Sequence, residues 1–148
     1  MGFARVRRGK TVPQKLKILI LDDNVTFRQI VKEILGQNTS LGRVAAASSL
    51  RDAAARMEKE AWDLVIMDIR FPGENALSFI RRVKMAHPGT SVAVLTSEDL
   101  PEYRAAAYLS GADFFFSKES SRAGEIEKLV DAISHRSPPQ TVQVVSRC

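Results

Sequence analysis

Four consecutive apolar residues, Leu64 to Met67, run without a break into a carboxylate, Asp68. Pro72 and Gly73 then end the extended segment and begin a loop. A run that is apolar on both faces is typical of a central strand in a parallel sheet, because helices cover such a sheet on each side. Open parallel sheets bind their ligands outside the carboxyl ends of the strands. We therefore expect Asp68 to lie at the functional edge of the sheet.

Segments of strand character alternate with segments of helical periodicity along most of the chain. Counted with their cap residues, the predicted strands are 15–21, 43–47, 63–68, 91–95 and 112–116, and the predicted helices are 24–35, 49–60, 75–87, 99–110 and 121–135. Five strands alternating with five helices predict a doubly wound, mostly parallel α/β domain. We expect this domain to span residues 15–136, between a flexible basic arm over 1–14 and a tail over 137–148 with no output module.

Polar residues mark where two of these helices should begin. Ser49 followed by Asp52 resembles a capping box, and Asp99 followed by Pro101 predicts an N-cap with an early helical proline. Gly111 is expected to end the fourth helix. The core face of that helix is rich in alanine over 105–107, so we expect the helix to pack weakly.

The excess positive charge of the chain is concentrated in its first residues. The formal net charge is +5; residues 1–15 contain five basic side chains and no acidic one, so the rest of the chain is balanced. Such an arm is either a solubilising extension or a contact for nucleic acid, anionic lipid or an acidic protein surface. No apolar run approaches the roughly 18 residues of a membrane-spanning helix, and no secretory signal is recognisable. With Cys148 as the one cysteine, we expect a cytoplasmic protein without an internal disulfide.

Polar residues lie at the carboxyl ends of four of the predicted strands: Asp22 and Asp23, Asp68, Thr96 and Lys118. Because the carboxyl ends of parallel strands share one edge of the sheet, we expect these side chains to converge. Clustered carboxylates repel one another unless a cation neutralises them, and Mg²⁺ is a hard cation that prefers oxygen ligands. A lysine and a hydroxyl nearby suit an incoming phosphoryl group, for which the Asp68 carboxylate would be the nucleophile.

Each of these residues also has an ordinary structural role when it is considered alone. The two neighbouring aspartates suit the first turn of the helix that follows them. Thr96 suits a local hydrogen bond to the backbone, and Lys118 suits a solvated surface. The functional interpretation therefore depends on the combination, since every member lies at the carboxyl end of a strand.

Four segments resemble the signature segments of the receiver domains of two-component response regulators. They are 20–24, 67–73, 95–97 and 111–118. The resemblance covers roughly residues 15–135 and implies a flavodoxin-like fold with strand order 2-1-3-4-5. It also implies that Asp68 accepts a phosphoryl group from the phosphohistidine of a histidine kinase or of a phosphotransfer protein. The implied Mg²⁺ ligands are Asp23, Asp68 and the backbone carbonyl of Arg70, and Asp22 would assist through water.

The same resemblance implies a conformational switch. Thr96 and Lys118 would bind the phosphoryl group, and Phe115 would rotate inward beside Thr96. This rotation would change a surface made by the fourth helix, the fifth strand and the fifth helix, where an unknown downstream protein would bind.

Other positions distinguish this chain within the family that it resembles. Arg70 and Glu98 flank the expected phosphate position, so they are candidates for setting the lifetime of the phosphoryl group. Glu119 follows the switch lysine where many receivers have proline, and the switch aromatic is Phe115 instead of tyrosine. Neither departure touches the acidic site, so the phosphoacceptor chemistry is still expected.

The main functional hypothesis is a stand-alone response regulator with no separate enzymatic output. One rival is a phosphatase or other hydrolase with an aspartate nucleophile, which needs a second catalytic carboxylate soon after the first; none lies between Asp68 and Glu74. The other rival is a receiver-like interaction module that acts without phosphorylation and contacts nucleic acid through the basic arm. Sequence-specific DNA binding is not expected, since no helix-turn-helix follows the fifth helix.

Overall fold

The computed structural model describes residues 15–22, 24–36, 41–71, 73–97, 100–118, 129–131 and 133. These residues include five complete strands and four complete helices. The strands are β1 (Leu16–Leu21), β2 (Leu41–Ala47), β3 (Leu64–Met67), β4 (Ser91–Thr96) and β5 (Phe114–Ser117). The helices are α1 (Val25–Leu35), α2 (Leu50–Lys59), α3 (Ala76–Ala86) and α4 (Pro101–Ser110).

The predicted alternation of strands and helices is confirmed through β5. The predicted fifth helix, 121–135, lies mostly outside the described residues, although residues 129–131 and 133 are helical. The predicted arm and tail also lie outside them. No helix within the described residues is long and apolar enough to cross a membrane.

All five strands are parallel and lie in the order β2-β1-β3-β4-β5. This is the flavodoxin-like order 2-1-3-4-5 that the resemblance implied. The register also aligns the carboxyl ends of neighbouring strands, because Leu21 pairs with Met67 and Thr96 pairs with Ser117. The residues that follow these strands therefore meet at one edge of the sheet.

The sheet has a hydrophobic layer on each face. Every residue of β3 is buried, which confirms its predicted place as a central strand. One face packs against α2, α3 and α4; the strand residues buried there include Leu19, Leu21, Val65, Met67, Val92 and Val94. The other face packs against Leu35 of α1 and the helical residues near 130; its strand residues include Ile18, Ile20, Leu64, Ile66, Ala93 and Leu95.

The beginning of α2 is confirmed, whereas the predicted cap of α4 is wrong. Ser49 Oγ accepts a hydrogen bond from the backbone N–H of Asp52 at 3.0 Å. The N-cap of α4 is Leu100, which makes no side-chain cap bond, and Asp99 lies outside the described residues. The helix starts directly at Pro101 because the fixed φ of proline already suits the first helical position.

The alanine run of α4 does not form one buried face. Ala105 is exposed, Ala106 is half-buried and Ala107 is fully buried. A helix turns by about 100° per residue, so three consecutive residues cannot all face the core. The predicted C-terminal glycine is confirmed: Gly111 has φ 115° and ends the helix.

The fifth strand starts two residues later than predicted, because residues 112 and 113 belong to the connection between α4 and β5. The Asp113 carboxylate accepts hydrogen bonds from the backbone N–H of Val92 and from Lys84 Nζ, each at 2.8 Å. Lys84 also donates to the carbonyl of Thr90 at 2.8 Å. These bonds join the end of α3 to the beginning of β4 and to the turn before β5.

Gly111→Ala should lower the free energy of unfolding by about 1–3 kcal/mol, as measured by urea denaturation. Its φ of 115° disfavours a side chain, and an added Cβ would lie 2.8 Å from Lys84 Cγ. Gly73→Ala is the matched control, because it has φ 77° but no atom within 4 Å of an added Cβ. It should cost less, about 1 kcal/mol. If both substitutions lower the free energy of unfolding equally, the close approach of Lys84 to Gly111 does not contribute to the cost.

Candidate functional site

Two buried carboxylates lie side by side at the ends of the two central strands β1 and β3. Asp22 follows β1 and is 2% exposed, and Asp68 follows β3 and is 5% exposed. The backbone N–H of Asp68 donates to the carbonyl of Leu21 at 3.1 Å, so the strand pairing extends to this point. The adjacent ladder thus brings the two residues together at one edge of the sheet, as the sequence predicted.

Lys118 brings a positive charge between these carboxylates. Its Nζ lies 2.8 Å from Asp22 Oδ2 and 3.0 Å from Asp68 Oδ2. The backbone N–H of Lys118 donates to the carbonyl of Thr96 at 2.9 Å, which anchors the lysine where β4 and β5 end. The predicted convergence of residues 22, 68 and 118 is therefore present in the structure.

The protonation equilibria of the site reflect both burial and pairing. Burial raises the pKa of Asp22, although the contact with Lys118 and the N–H of Asn24 oppose this rise. Burial by itself would lower the pKa of Lys118, but the contacts with Asp22 and Asp68 outweigh that effect and raise it. The lysine is therefore held in its charged form.

The remaining oxygens of the two aspartates are bonded to the local backbone. Asp22 Oδ1 accepts from the N–H of Asn24 at 2.8 Å, and Asp68 Oδ1 accepts from the N–H of Arg70 at 2.9 Å. Arg28 Nη1 donates to the carbonyl of Asp22 at 2.6 Å. These contacts orient both carboxylates before any ligand is present. Sequence inspection did not identify Arg28, because its helical position alone gives no sign of this contact.

An open cleft of about 500 Å³ lies above Asp68. It is lined by Asn24, Asp68, Ile69, Arg70, Phe71, Ser97 and Lys118. Arg70 is exposed, and its Nη1 donates to Ser97 Oγ across the cleft at 3.4 Å. Thr96, at the end of β4, is fully buried.

The aromatic residues of β5 alternate between the two faces of the sheet, as predicted. Phe115 is 4% exposed and belongs to the layer under α2, α3 and α4. Phe114 and Phe116 pack on the opposite layer, with ring centroids 6.4 Å apart. The Arg104 guanidinium of α4 lies 4.7 Å from the Phe115 ring centroid, a cation–π contact that no sequence motif indicated.

The donor atoms at this edge suit a hard cation. Asp22 Oδ2 is buried, and its ion-pair partner is Lys118 Nζ at 2.8 Å. Carboxylate oxygens of this kind bind a hard cation directly or through water. In the described part of the chain, no three carboxylate, imidazole or thiol groups lie close enough to form a metal site by themselves. Two predicted site residues, Asp23 and Glu98, lie outside the described residues.

A protein-family comparison identifies the same domain from the sequence. The model described as "Response regulator receiver domain" matches residues 18–133. A protein-glutamate methylesterase/protein-glutamine glutaminase of Rhodopseudomonas palustris is 30% identical over 114 residues, which are 77% of this chain and 28% of the relative. The transcriptional regulatory protein DegU of Brevibacillus brevis is 31% identical over 113 residues, 76% of this chain and 48% of the relative. The chain thus spans less than half the length of both relatives.

Solved structures show the same similarity. The BeF3-activated receiver domain of DrrB, a Thermotoga maritima protein, superposes with a TM-score of 0.75 at 26% identity. The match covers 83% of this chain and 100% of that domain.

Asp22→Asn should raise the free energy of unfolding in metal-free buffer by more at pH 7 than at pH 4. Because burial raises its pKa, folded Asp22 binds its proton more tightly than the unfolded chain, whose carboxyl has the ordinary pKa of 3.8. The stability linked to this group is fully present below the ordinary pKa and is lost as the pH rises through the raised pKa. Asparagine does not titrate, so this loss disappears in the variant.

Urea denaturation at the two pH values measures the effect. Glu58→Gln is the control, since Glu58 is exposed on α2. The control should change either value by less than about 0.5 kcal/mol. An Asp22→Asn variant with the same pH dependence as the wild type would contradict the unfavourable burial of this carboxylate.

Proposed function

Because the chain belongs to the response regulator receiver family, we propose that it is a phosphorylation-controlled switch with Asp68 as its phosphoacceptor. Receivers act with histidine kinases or phosphotransfer proteins, so the proposed donor is a phosphohistidine on such a partner. The observation that carries the proposal is the position of Lys118 Nζ, 3.0 Å from Asp68 Oδ2 at the carboxyl edge of the sheet. This lysine supplies positive charge where phosphoryl oxygens would arrive.

In the proposed step, a carboxylate oxygen of Asp68 attacks the phosphorus of the phosphohistidine. A P–O bond forms, the P–N bond breaks, and its electron pair remains on the imidazole nitrogen. Asp68 is already oriented by the N–H of Arg70, and the open cleft gives the donor access. Lys118 stabilises the negative charge of the transferred group.

Receivers generally bind Mg²⁺, and the donor set at this edge is compatible with it. The proposed ligands are the carboxylates of Asp23 and Asp68 and the backbone carbonyl of Arg70, and Asp22 would assist through water. When bound, the ion offsets the negative charge of the carboxylates and of the phosphoryl oxygens. The Lys118 ammonium already balances part of the negative charge of the Asp22 and Asp68 carboxylates.

The proposed response starts at Thr96, which would hydrogen-bond to the new phosphoryl group, while Lys118 would pair with it. The rearrangement would alter the packing of Phe115 and, through it, the contact with Arg104 on α4. We propose that a downstream protein binds the surface formed by α4, β5 and the fifth helix. In support, α4 exposes Tyr108 and Leu109, the latter by 88%.

The proposed activity needs no second catalytic function within these 148 residues. The relatives that carry a methylesterase name are several times longer than the matched region. Their activity is therefore not assigned to this chain.

Incubation with acetyl phosphate and Mg²⁺ should add about 80 Da to the intact wild-type protein, the mass of one phosphoryl group. Asp68→Ala should remove this gain, because it removes the nucleophilic oxygen. Asp52→Ala, which deletes a carboxylate on α2, should retain it. Intact-protein mass spectrometry measures all three, each with and without Mg²⁺.

Labelling of Asp68→Ala at the wild-type level would refute the assignment of this phosphoacceptor. No labelling of the wild type by acetyl phosphate or by a phosphorylated kinase would refute phosphorylation as the switch. That result would favour an interaction module that acts without phosphate.

Arg70→Ala should shorten the lifetime of the phosphorylated protein by about two- to tenfold, because its side chain partly covers the cleft and restricts water. Glu98→Ala should also change the lifetime, since Glu98 follows Thr96 by two residues. Loss of the phosphoryl mass over time measures the decay. Arg81→Ala, an exposed arginine on α3, is the control. Unchanged decay in both test variants would exclude these two residues as determinants of the lifetime.

A further inference from the structure

The side chain of Glu74 contacts the amino end of a helix that precedes it in sequence. Its Oε1 accepts a hydrogen bond from the backbone N–H of Leu50 at 3.2 Å. Leu50 is the first residue of α2, so its N–H has no acceptor within that helix. A carboxylate at this position also interacts favourably with the helix dipole. The amino end of α2 is therefore capped twice, by its own Ser49 and by Glu74.

Glu74 belongs to the loop that joins the candidate phosphoacceptor to α3. Within this loop, Asp68 Oδ1 accepts from the N–H of Arg70, and the carbonyl of Phe71 accepts from the N–H of Glu74 at 3.0 Å. The loop ends at Asn75, whose Oδ1 caps α3 through the N–H of Ser78. These bonds are local, whereas the bond of Glu74 ties the loop to a different element of the fold.

Phe71 provides the loop's second tie to the rest of the structure. Its side chain is 6% exposed and packs in the hydrophobic layer under α2 and α3. Arg70, one residue earlier, faces the cleft and is exposed. The described residues on either side of position 72 are thus held by the burial of Phe71 and by the hydrogen bond of Glu74 to Leu50.

We propose that Glu74 is a positioning residue for phosphoryl transfer, acting through its bond to the amino end of α2. This inference rests on the proposed function. By anchoring the end of the loop, Glu74 fixes the path of the backbone that begins at Asp68 and passes through Arg70. Reactions of bound groups are sensitive to displacements of about 1 Å, so a loosened loop should slow transfer even when Asp68 is intact.

The test compares initial rates of phosphorylation by acetyl phosphate for the wild type, Glu74→Ala, Glu74→Gln and Ser49→Ala. Glu74→Ala should slow the reaction about fivefold, within the range expected for a misplaced reacting group. Glu74→Gln should remain within about twofold of the wild type, since its amide oxygen can accept the same hydrogen bond. Ser49→Ala removes the other cap of α2 without touching the loop, so it should destabilise the helix and leave the rate unchanged.

Two outcomes would overturn the inference. Wild-type rates in Glu74→Ala would show that the loop does not need this anchor. Equal slowing in Glu74→Ala and Ser49→Ala would show that the effect comes from the stability of α2. The thermal melting of each variant, measured alongside, identifies any general loss of folding.

Hydrogen exchange separates this inference from the proposed function, because it needs no phosphorylation. Glu74→Ala should speed amide exchange in a peptide covering 69–75, whereas Ser49→Ala should speed it only in α2. Unchanged exchange over 69–75 in Glu74→Ala would overturn the anchoring role. If the wild type is never phosphorylated, the proposed function fails, and positioning for phosphoryl transfer fails with it. Faster exchange over 69–75 in Glu74→Ala would then show that Glu74 anchors the loop but has no role in phosphoryl transfer.

Discussion

The ammonium group of Lys118, shared between the carboxylates of Asp22 and Asp68, is the interaction on which the carboxyl edge of this sheet depends. Two carboxylates this deeply buried would otherwise repel each other and lose their hydration without compensation. The lysine can reach both because its backbone is bonded to Thr96 at the end of the neighbouring strand. Charge balance on the central strands is thus maintained by a residue that follows an edge strand.

The parallel sheet explains how residues so distant in sequence come together. Its register brings the carboxyl ends of β1 and β3 together, and the backbone bond from Asp68 to Leu21 continues the ladder beyond the last paired residues. Since both hydrophobic layers are built on the same strands, the positions of the polar side chains are set by the packing beneath them. The loops contribute the adjustable part of the site, through Arg70 and Ser97.

Much of this arrangement was predictable because the pattern of apolar residues in the sequence indicates where the strands and helices lie. The unbroken apolar run of β3 indicated a central strand, and the polar residue after each strand indicated a common edge. The details that were wrong or missed depend on contacts between elements. The fifth strand begins at Phe114, and the Asp113 carboxylate just before it bonds Lys84 and the backbone of Val92. The bond from Glu74 to Leu50 depends on the path of a loop, which no periodicity encodes.

The alternation of the three phenylalanines in β5 has a further consequence. Phe115 faces one hydrophobic layer and its two neighbours face the other, so the strand contacts both halves of the interior through consecutive side chains. At the margin of the sheet formed by the described strands, β5 is hydrogen-bonded to one strand, β4. A displacement of its backbone would therefore break fewer interstrand bonds than the same displacement of β3, while it would disturb the packing above and below the sheet together. Among the described residues, β5 thus combines hydrogen bonding to one strand with side-chain packing on both hydrophobic layers.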